Sequence, residues 1–571
     1  MSRKRTTVAL LAGLALAWIS AAPADAGVKE DLDQAVKKID KDLYEQSVAD
    51  IRAWLDKRIE ASGEFGVYSF GWSHLRIRGD VADLDLNRGG FADSAAQFLR
   101  AYEMLGGKKY LEAGLKTADF FLAVQEPAGH FPTGATVHRD GKIVAGGGKH
   151  AEPIVRMEDG YQFRPFCLLL YAWQLTGEKK YLDGAKRCGE LITQRVMHPR
   201  WGYCPDIFDT RIEGDVTKQP DRHGDFGVQG GGSLSDYCTT DGFRMSVILY
   251  HLTKDKKYLA RASGVGEWLI ETQLGKGKVR GWGDNYNSKN QPVPSRNFEG
   301  VQIDPRNWNR FAGPLLVWFY AITGDQKYRT LFEESVDWML SVKQPGGWAF
   351  EYTPDGRPCA TLDHKLFLYS EPEEWPGGSK PGYIHDKVQI VDSVMIRDLL
   401  KSGGRDALRE RFRGPGKYSD EQYLAARLAA AKRCTDENFQ VKLQPLDLGD
   451  MSWIADGKYV MGKYQERVRL RPANPDAELP AKDAAGRVDL TRQSWKSPHA
   501  GYNIVPYGWA QWQYVWDANL AMGRIDADAA ARGGIGLESE RFVDPWDMMW
   551  HWESRLLDVE DWCDVPLGAA K

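Results

Sequence analysis

Four stretches of this chain place apolar residues at helical spacing, and the four resemble one another. In "RPFCLLLYAWQLTGEKKYLDGAKRCGELITQR", which starts at Arg164, the residues Phe166, Leu169, Leu170 and Trp173 share one helix face. A Gly- and Lys-bearing turn follows, as suits a helix C-terminus. The Lys-Tyr pair then opens a second helix, whose buried stripe continues at Leu191. Equivalent segments begin at Asp93, Asp241 and Phe311. Their Lys-Tyr tyrosines are Tyr110, Tyr181, Tyr258 and Tyr328, spaced 71, 77 and 70 residues apart. Eight residues before each stands another aromatic: Tyr102, Trp173, Tyr250 or Tyr320.

Each unit predicts helix, tight turn, helix. After every second helix comes an excursion rich in Gly, Pro and aromatics: "EPAGHFP", "HPRWGYCPDI", "GWGDNY" and "GGWAFEYTPDG". These read as loops or short hairpins. Repeated antiparallel helix pairs bury their apolar faces against their neighbours, either as an open solenoid or as a closed ring. Excursions that always emerge at one end favour the ring, where they converge on a central cleft. The expected fold is therefore mainly α, an (α/α) toroid of six or seven hairpins over residues 27–440. Flanking helices are expected from Leu32 to Ile59, Val388 to Lys401 and Asp420 to Cys434. Residues 441–571 lose the repeat; they read as an irregular, Trp-rich extension that closes or covers the ring.

The first 26 residues read differently. Arg3, Lys4 and Arg5 precede an apolar run from Val8 to Ile19, and Ala24-Asp25-Ala26 forms a small-residue cleavage site before Gly27. That run is too short to span a bilayer, so periplasmic or secreted export without a membrane anchor is expected. The chain carries a formal charge of −4, and the leader's +2 leaves the mature protein near −6. So mildly acidic a surface argues against nucleic-acid binding. Seven cysteines without a CxxC pair argue against a structural zinc site. One or two disulfides could form after export, and the odd count leaves at least one thiol over.

Candidate chemistry gathers in the excursions and just before each first helix. Asp93, the pair Glu158-Asp159, and Asp241 open helices, where an aspartate is also an ordinary cap. Two neighbouring carboxylates also suit a hard cation, so Glu158 and Asp159 are candidate calcium ligands. Arg156, Arg164, Arg244, Arg296, Arg306 and Arg310 recur in the same segments, and arginine is the preferred fork for carboxylates. Each is also a plain surface ion pair in the bland reading. Aromatics reach 12% of the chain, with 21 Trp. Trp201, Trp282, Tyr286 and Trp348 are candidate platforms for stacking sugar rings, with core packing as the alternative.

The order of these parts resembles the pectic acid lyases, polysaccharide lyase family ten. "FADSAAQFLRAYEMLGGKKY", "RMEDGYQFRPF" and "WGDNYNSKNQPVPSRNFEG" follow in that order, over roughly Asn87 to Lys343. The stretch Arg296-Asn297-Phe298-Glu299 carries most of the likeness. "FADSAA" and "HFPTGATV" depart from the family pattern, which opens the substrate and the metal site to question. The resemblance implies cleavage of a uronic-acid polymer by β-elimination, with Arg296 as base and Glu158 and Asp159 near calcium. Asp93, Asp241 and Arg244 would complete the catalytic set, and Arg164 and Arg306 would clamp substrate carboxylates. The expected partner is an anionic polysaccharide or oligosaccharide.

Other readings stay open. A toroid glycoside hydrolase acting on uronyl oligosaccharides would use an Asp pair, Asp93 with Asp159 or Asp241; a sugar epimerase is a further variant. A histidine/tyrosine lyase would draw on His74 or His223. A non-catalytic glycan-binding protein would keep the aromatic rim and lose nothing on Arg296 substitution.

Overall fold

A computed structural model describes residues 25–62, 65–66, 75–86, 91–146, 153–224, 227–275, 277–294, 300–343, 348–349, 351–362, 365–368, 384–385, 391–412, 419–440, 459–461, 487–489, 505–526 and 563–567. Residues 1–24, which hold most of the expected leader, lie outside them. So does Arg296.

The chain is mostly helical. Helices α1 (Asp25–Lys37) and α2 (Lys41–Ser62) precede the repeats. The first hairpin is α3 (Phe91–Leu105) with α4 (Lys108–Val124), and the second is α5 (Phe163–Thr176) with α6 (Lys179–Leu191). In the third, α7 (Cys238–Thr253) is followed by the short α8 (Leu259–Ala262) and α9 (Val265–Glu271). A three-residue turn, α10 (Pro305–Asn307), leads to the fourth hairpin, α11 (Gly313–Thr323) with α12 (Gln326–Ser341). Then come α13 (Val391–Phe412), α14 (Asp420–Cys434), α15 (Glu437–Gln440) and α16 (Val505–Ala521). Neighbouring hairpins touch: α3 lies on α5, α4 on α6, α9 on α11 and α12 on α13. No described helix is long and apolar enough to cross a membrane.

The Lys-Tyr repeat has a physical cause that spacing alone does not reveal. Each tyrosine ring is buried, and its hydroxyl reaches a carboxylate on the second helix of the preceding unit. Tyr110 donates to Asp56 at 3.2 Å, Tyr258 to Glu190 at 2.8 Å and Tyr328 to Glu267 at 2.9 Å. The lysine before each tyrosine grips the same acid: Lys109 on Asp56 at 2.5 Å, Lys180 on Asp119 at 2.7 Å, Lys257 on Glu190 at 3.4 Å and Lys327 on Glu267 at 2.5 Å. Asp119 also accepts from Tyr181, whose phenol is pushed up by burial first and by this carboxylate second. The acids Asp119, Glu190 and Glu267 each stand nine residues after the Lys-Tyr tyrosine of their own hairpin, and so does Asp337. Asp337 is met by Arg397 of α13 at 2.6 Å, where the Lys-Tyr pattern has ended. The repeat is thus a chain of latches between hairpins.

A second regularity places the excursions. The strand entering each first helix pairs antiparallel with a strand leaving the second helix of the same hairpin. Before α3, β1 (Leu75–Arg78) and β2 (Val81–Asp85) form a hairpin, and β2 pairs with β3 (Gly134–His138), which continues to β4 (Ile143–Ala145). Before α5, β5 (Ile154–Arg156) pairs with β6 (Ile207–Asp209), in register Val155 to Phe208. Next to β6 lie β8 (Gly227–Gln229) and then β7 (Arg222–Gly224). Before α7, β9 (Gly232–Ser233) pairs with β10 (Asn285–Tyr286), which also carries β11 (Pro292–Val293). Before α11, Ile303 bridges Tyr352, with N–H···O bonds of 2.7 and 2.9 Å. Each excursion therefore lies where its own first helix begins.

The region after residue 440 is not wholly irregular. Its helix α16 packs on α14, α2 and α3, so the last long helix returns to the start of the repeats. Arg433 of α14 pairs with the buried Asp517 at 2.9 Å, and Tyr514 donates to the Asp40 carbonyl at 2.9 Å. All seven cysteines are buried free thiols, so the disulfides expected after export are not formed. Their sulfurs fill core positions instead.

Candidate active site

Two helix openings meet at the excursion end of the hairpins. The turn Glu158–Gly160 leads into α5, and the turn Ser235–Tyr237 leads into α7; the two turns pack on each other. Each bends through an aspartate in the left-handed region, Asp159 at φ 55° and Asp236 at φ 43°. A non-glycine residue there costs on the order of 1–2 kcal/mol and persists only where its surroundings hold it. Asp159 and Asp236 are half-buried, so both carboxylates stand at the margin of the interior.

Behind them lies Asp206, 2% exposed. Its carboxylate accepts from Val228 N at 2.7 Å, Ser233 Oγ at 3.1 Å and the Cys238 thiol at 3.3 Å. With its amide turned so that the nitrogen faces inward, Asn285 adds a contact to Asp206 at 3.2 Å and one to Ser233 at 2.8 Å. Asp206 thus ties the excursion after α6 to β8, β9 and β10. Burial pushes its carboxyl up to about 6, against the pull of those hydrogen bonds.

Glu158 meets Arg156 at 2.8 Å. Burial nevertheless raises its carboxyl to about 8; Arg156 pulls it down, while Asp206, Asp159 and Asp236 repel a second charge. The short contact suits either state, because a protonated carboxyl keeps one oxygen to accept from a guanidinium. Burial thus favours the protonated, proton-donating form of Glu158. Asp159 and Asp236, both half-buried, stand beside it as carboxylate neighbours.

The other expected site residues are distributed as follows. Asp93 lies in the first turn of α3, its side chain outside the described residues. Arg164, in the first turn of α5, lies back against Gly160, where a Cβ would meet its Cγ at 3.0 Å. Asp241 neither caps α7 nor faces the cleft. It is buried one turn in and pairs with the equally buried Arg244 at 3.1 Å. The Arg244 guanidinium sits 4.3 Å from the centre of the Phe163 ring, so this pair fastens α7 to α5 and holds the scaffold. Arg306 falls in α10, with its side chain outside the described residues, and Arg296 lies in the undescribed 295–299.

The aromatic platforms need correction. Trp282 and Tyr286 are 0% exposed and Trp348 is 2% exposed, so none offers a face to a sugar. The indole N–H of Trp282 donates to Leu269 O at 2.8 Å, and that of Trp348 to Met339 O at 2.8 Å. Both carbonyls lie near a helix C-terminus, where backbone acceptors lack helical partners. Four residues after each tryptophan, Tyr286 and Tyr352 accept from Gly283 N at 2.9 Å and Ala349 N at 3.0 Å. The Gly-Trp…Tyr pattern is an anchor for the excursions. Trp201 is half-buried, with the Arg200 guanidinium 4.3 Å from its ring centre.

Sequence reasoning passed over Asp206, Asp236 and Cys238. A signal for Asp236 exists: "LSDYC" stands just before α7 much as "MEDGY" stands just before α5. Nothing local marks Asp206, whose neighbours come from three separate segments.

For calcium, the described residues fit poorly. No group of three or more His, Cys, Asp or Glu among them is placed to hold a metal ion. Glu158 is already engaged by Arg156 at 2.8 Å.

No protein-family model matches the chain, and no curated protein sequence does. Among solved structures, it is similar to a family 10 polysaccharide lyase from Cellvibrio cellulosa at 14% identity and a TM-score of 0.31, over 46% of this chain and 83% of that one. Cellobiose 2-epimerase from Spirochaeta thermophila DSM 6192 matches at 12% identity and a TM-score of 0.31, over 67% of this chain and 100% of that one. An inactive variant of an α-1,6-mannanase of Salegentibacter sp. HEL1_6, in complex with α-1,6-mannotetrose, matches at 14% and 0.32, over 64% and 85%. Likenesses this weak place the chain in no family and assign it no substrate.

Proposed function

We propose that this chain is a carbohydrate-active enzyme that hydrolyses glycosidic bonds, with Glu158 as general acid and Asp159 or Asp236 as its carboxylate partner, in the mouth of a helical toroid. The observation that carries this reading is the meeting of two strained helix openings that gather Glu158, Asp159, Asp206 and Asp236 at the excursion end. A protonated carboxyl can give its proton to the glycosidic oxygen as the C–O bond breaks. An ionised one can take a proton from water or attack the anomeric carbon. A mouth dominated by carboxyls suits a neutral glycan better than a polyanion. The test is incubation with a panel of neutral and uronic-acid glycans, followed by reducing ends and ultraviolet absorbance. The expected result is new reducing ends without absorbance, and their loss in a folded Glu158→Gln variant. A glycan-binding protein without activity would bind as tightly after that substitution and release nothing.

A second reading, β-elimination of a pectate-like uronic-acid polymer, draws on one observation. Arg156 and Arg164 lie at the same openings as the carboxyls, a source of positive charge for a uronate. Here Arg296 is the base and Arg306 a clamp. Product absorbance from a new unsaturated sugar would favour it, and wild-type turnover in Arg296→Ala would remove Arg296 from it. Calcium belongs to this reading alone, and full activity in excess chelator would take it out. Export is also part of the proposal: the mature protein should begin at Gly27 when its N-terminus is sequenced.

A further inference from the structure

A cavity of about 570 Å3 opens at the C-terminal end of α3, away from the end where the first helices begin. Its size lies within the range of small-molecule sites, about 300–1,000 Å3. Tyr44 and Arg52 of α2, Tyr102 and Glu103 of α3, and Asn519 and Arg524 at the end of α16 line it. The walls thus come from both ends of the chain. They are joined by Tyr44 Oη donating to Asn519 Oδ1 at 2.6 Å and by Asn519 Nδ2 donating to Met104 O at 2.8 Å.

The charges are unbalanced. Arg52 donates through Nη2 to Leu105 O at 2.5 Å, and Arg524 through Nη1 to Tyr44 Oη at 2.5 Å. Neither guanidinium makes an ion pair among the described residues. The one carboxylate in the lining, Glu103, accepts the Tyr171 hydroxyl from a neighbouring helix. A guanidinium carries five N–H donors in a fork that matches carboxylate or phosphate oxygens. Two such forks therefore share one cavity with two tyrosines.

We propose that this cavity binds a small molecule bearing an oxyanion, carboxylate or phosphate, between Arg52 and Arg524, with its body against Tyr44 and Tyr102. The site does not depend on the proposed hydrolytic function. Because its walls join α2, α3 and α16, the occupant bridges the seam between the first and last helices, and it binds the folded chain alone. Occupancy then raises the thermal midpoint by mass action.

The experiment is thermal unfolding of the full chain with inorganic phosphate, galacturonate or galactose, at constant ionic strength set with chloride. A saturable rise with phosphate, galacturonate or both is expected, and none with galactose; which oxyanion acts identifies the source. Arg524→Gln, at an exposed side chain, is expected to raise the half-saturating concentration at least about tenfold, as one lost charge-assisted fork contact implies. Arg52→Gln should do the same, and Glu158→Gln should leave the rise intact. No rise with either oxyanion, or an equal rise in Arg524→Gln and wild type, overturns the proposal.

Discussion

Tyr258 gives its hydroxyl to Glu190 on α6 at 2.8 Å, and Lys257 reaches the same carboxylate oxygen at 3.4 Å. One acid on one hairpin thereby holds the residue pair that opens the second helix of the next. Removing the hydroxyl takes one donor from the Glu190 carboxylate, which is half-exposed and keeps Lys257. Tyr258→Phe should cost about 1 kcal/mol, the usual net worth of such a bond, with the half-exposed acid keeping it from the upper range. A double-mutant cycle with Glu190→Gln, read by urea midpoints, should show coupling between the two. Additive effects would mean that the latch adds no stability of its own.

A second prediction concerns pH. Glu158 is raised to about 8 from an ordinary glutamate value of 4.5, so the folded state holds a proton that the unfolded chain releases between those limits. Its contribution to stability is full below the unfolded value and is lost as pH rises to about 8. The buried His130 and the half-buried His198 and His251, lowered to about 4 by desolvation, act in the opposite direction, but only below the ordinary histidine value of 6.5. Between pH 6.5 and 8, stability should therefore fall with pH, by at most about 1.4 kcal/mol per unit. Glu158→Gln should flatten that slope in urea titrations. An unchanged slope would place the titrating group elsewhere.

Activity carries its own signature of the same carboxyl. If Glu158 is the acid, kcat/KM should decline as pH rises through about 8, where its proton is lost. Glu158→Gln should lower kcat at least about 100-fold in a protein with unchanged circular dichroism. A rise in KM with kcat spared would reassign Glu158 to substrate binding.

Trp282 supplies a test that separates an anchor from a sugar platform. Its ring is enclosed and its indole N–H is held by Leu269 O. Trp282→Phe should lower stability by roughly 1–3 kcal/mol, through lost volume and an orphaned helix-end carbonyl. KM in the surviving fold should not move. A raised KM with native stability would return Trp282 to the binding site.

The turn after α7 departs from its repeats in one residue. Gly177 and Gly324 end α5 and α11 at φ 73° and 74°, whereas Lys254 takes φ 58° in the same place. A side chain in the left-handed region is strained, and glycine is not. Lys254→Gly should stabilise the protein by about 0.5–1 kcal/mol, less whatever the Lys254 ammonium gains 5.6 Å from the Tyr250 ring centre. A lower melting temperature would mean that this contact outweighs the strain.

The sequence by itself determined the helices of the repeats, their hairpin pairing and the position of the excursions. Those features follow from local periodicity and turn chemistry, which residues such as Phe166, Leu169, Gly177 and Tyr181 display over short windows. Even the latch was written there, as an acid nine residues beyond each Lys-Tyr tyrosine, although its partner lies a whole unit away. Tertiary structure alone decided which polar and aromatic residues face inward. Trp282 and Trp348 look alike as surface platforms or core anchors until the helix ends they cap are known. Asp206 became a hub, and Asp241 a buried pair with Arg244, because strands and helices far apart in the chain enclosed them. Helix α16 has a weak amphipathic pattern, and its place against α2, α3 and α14 rests on contacts such as Asp517 with Arg433, across 84 residues. Burial is a property of the neighbours a side chain acquires. A reading of the chain alone supplies the side chain without them.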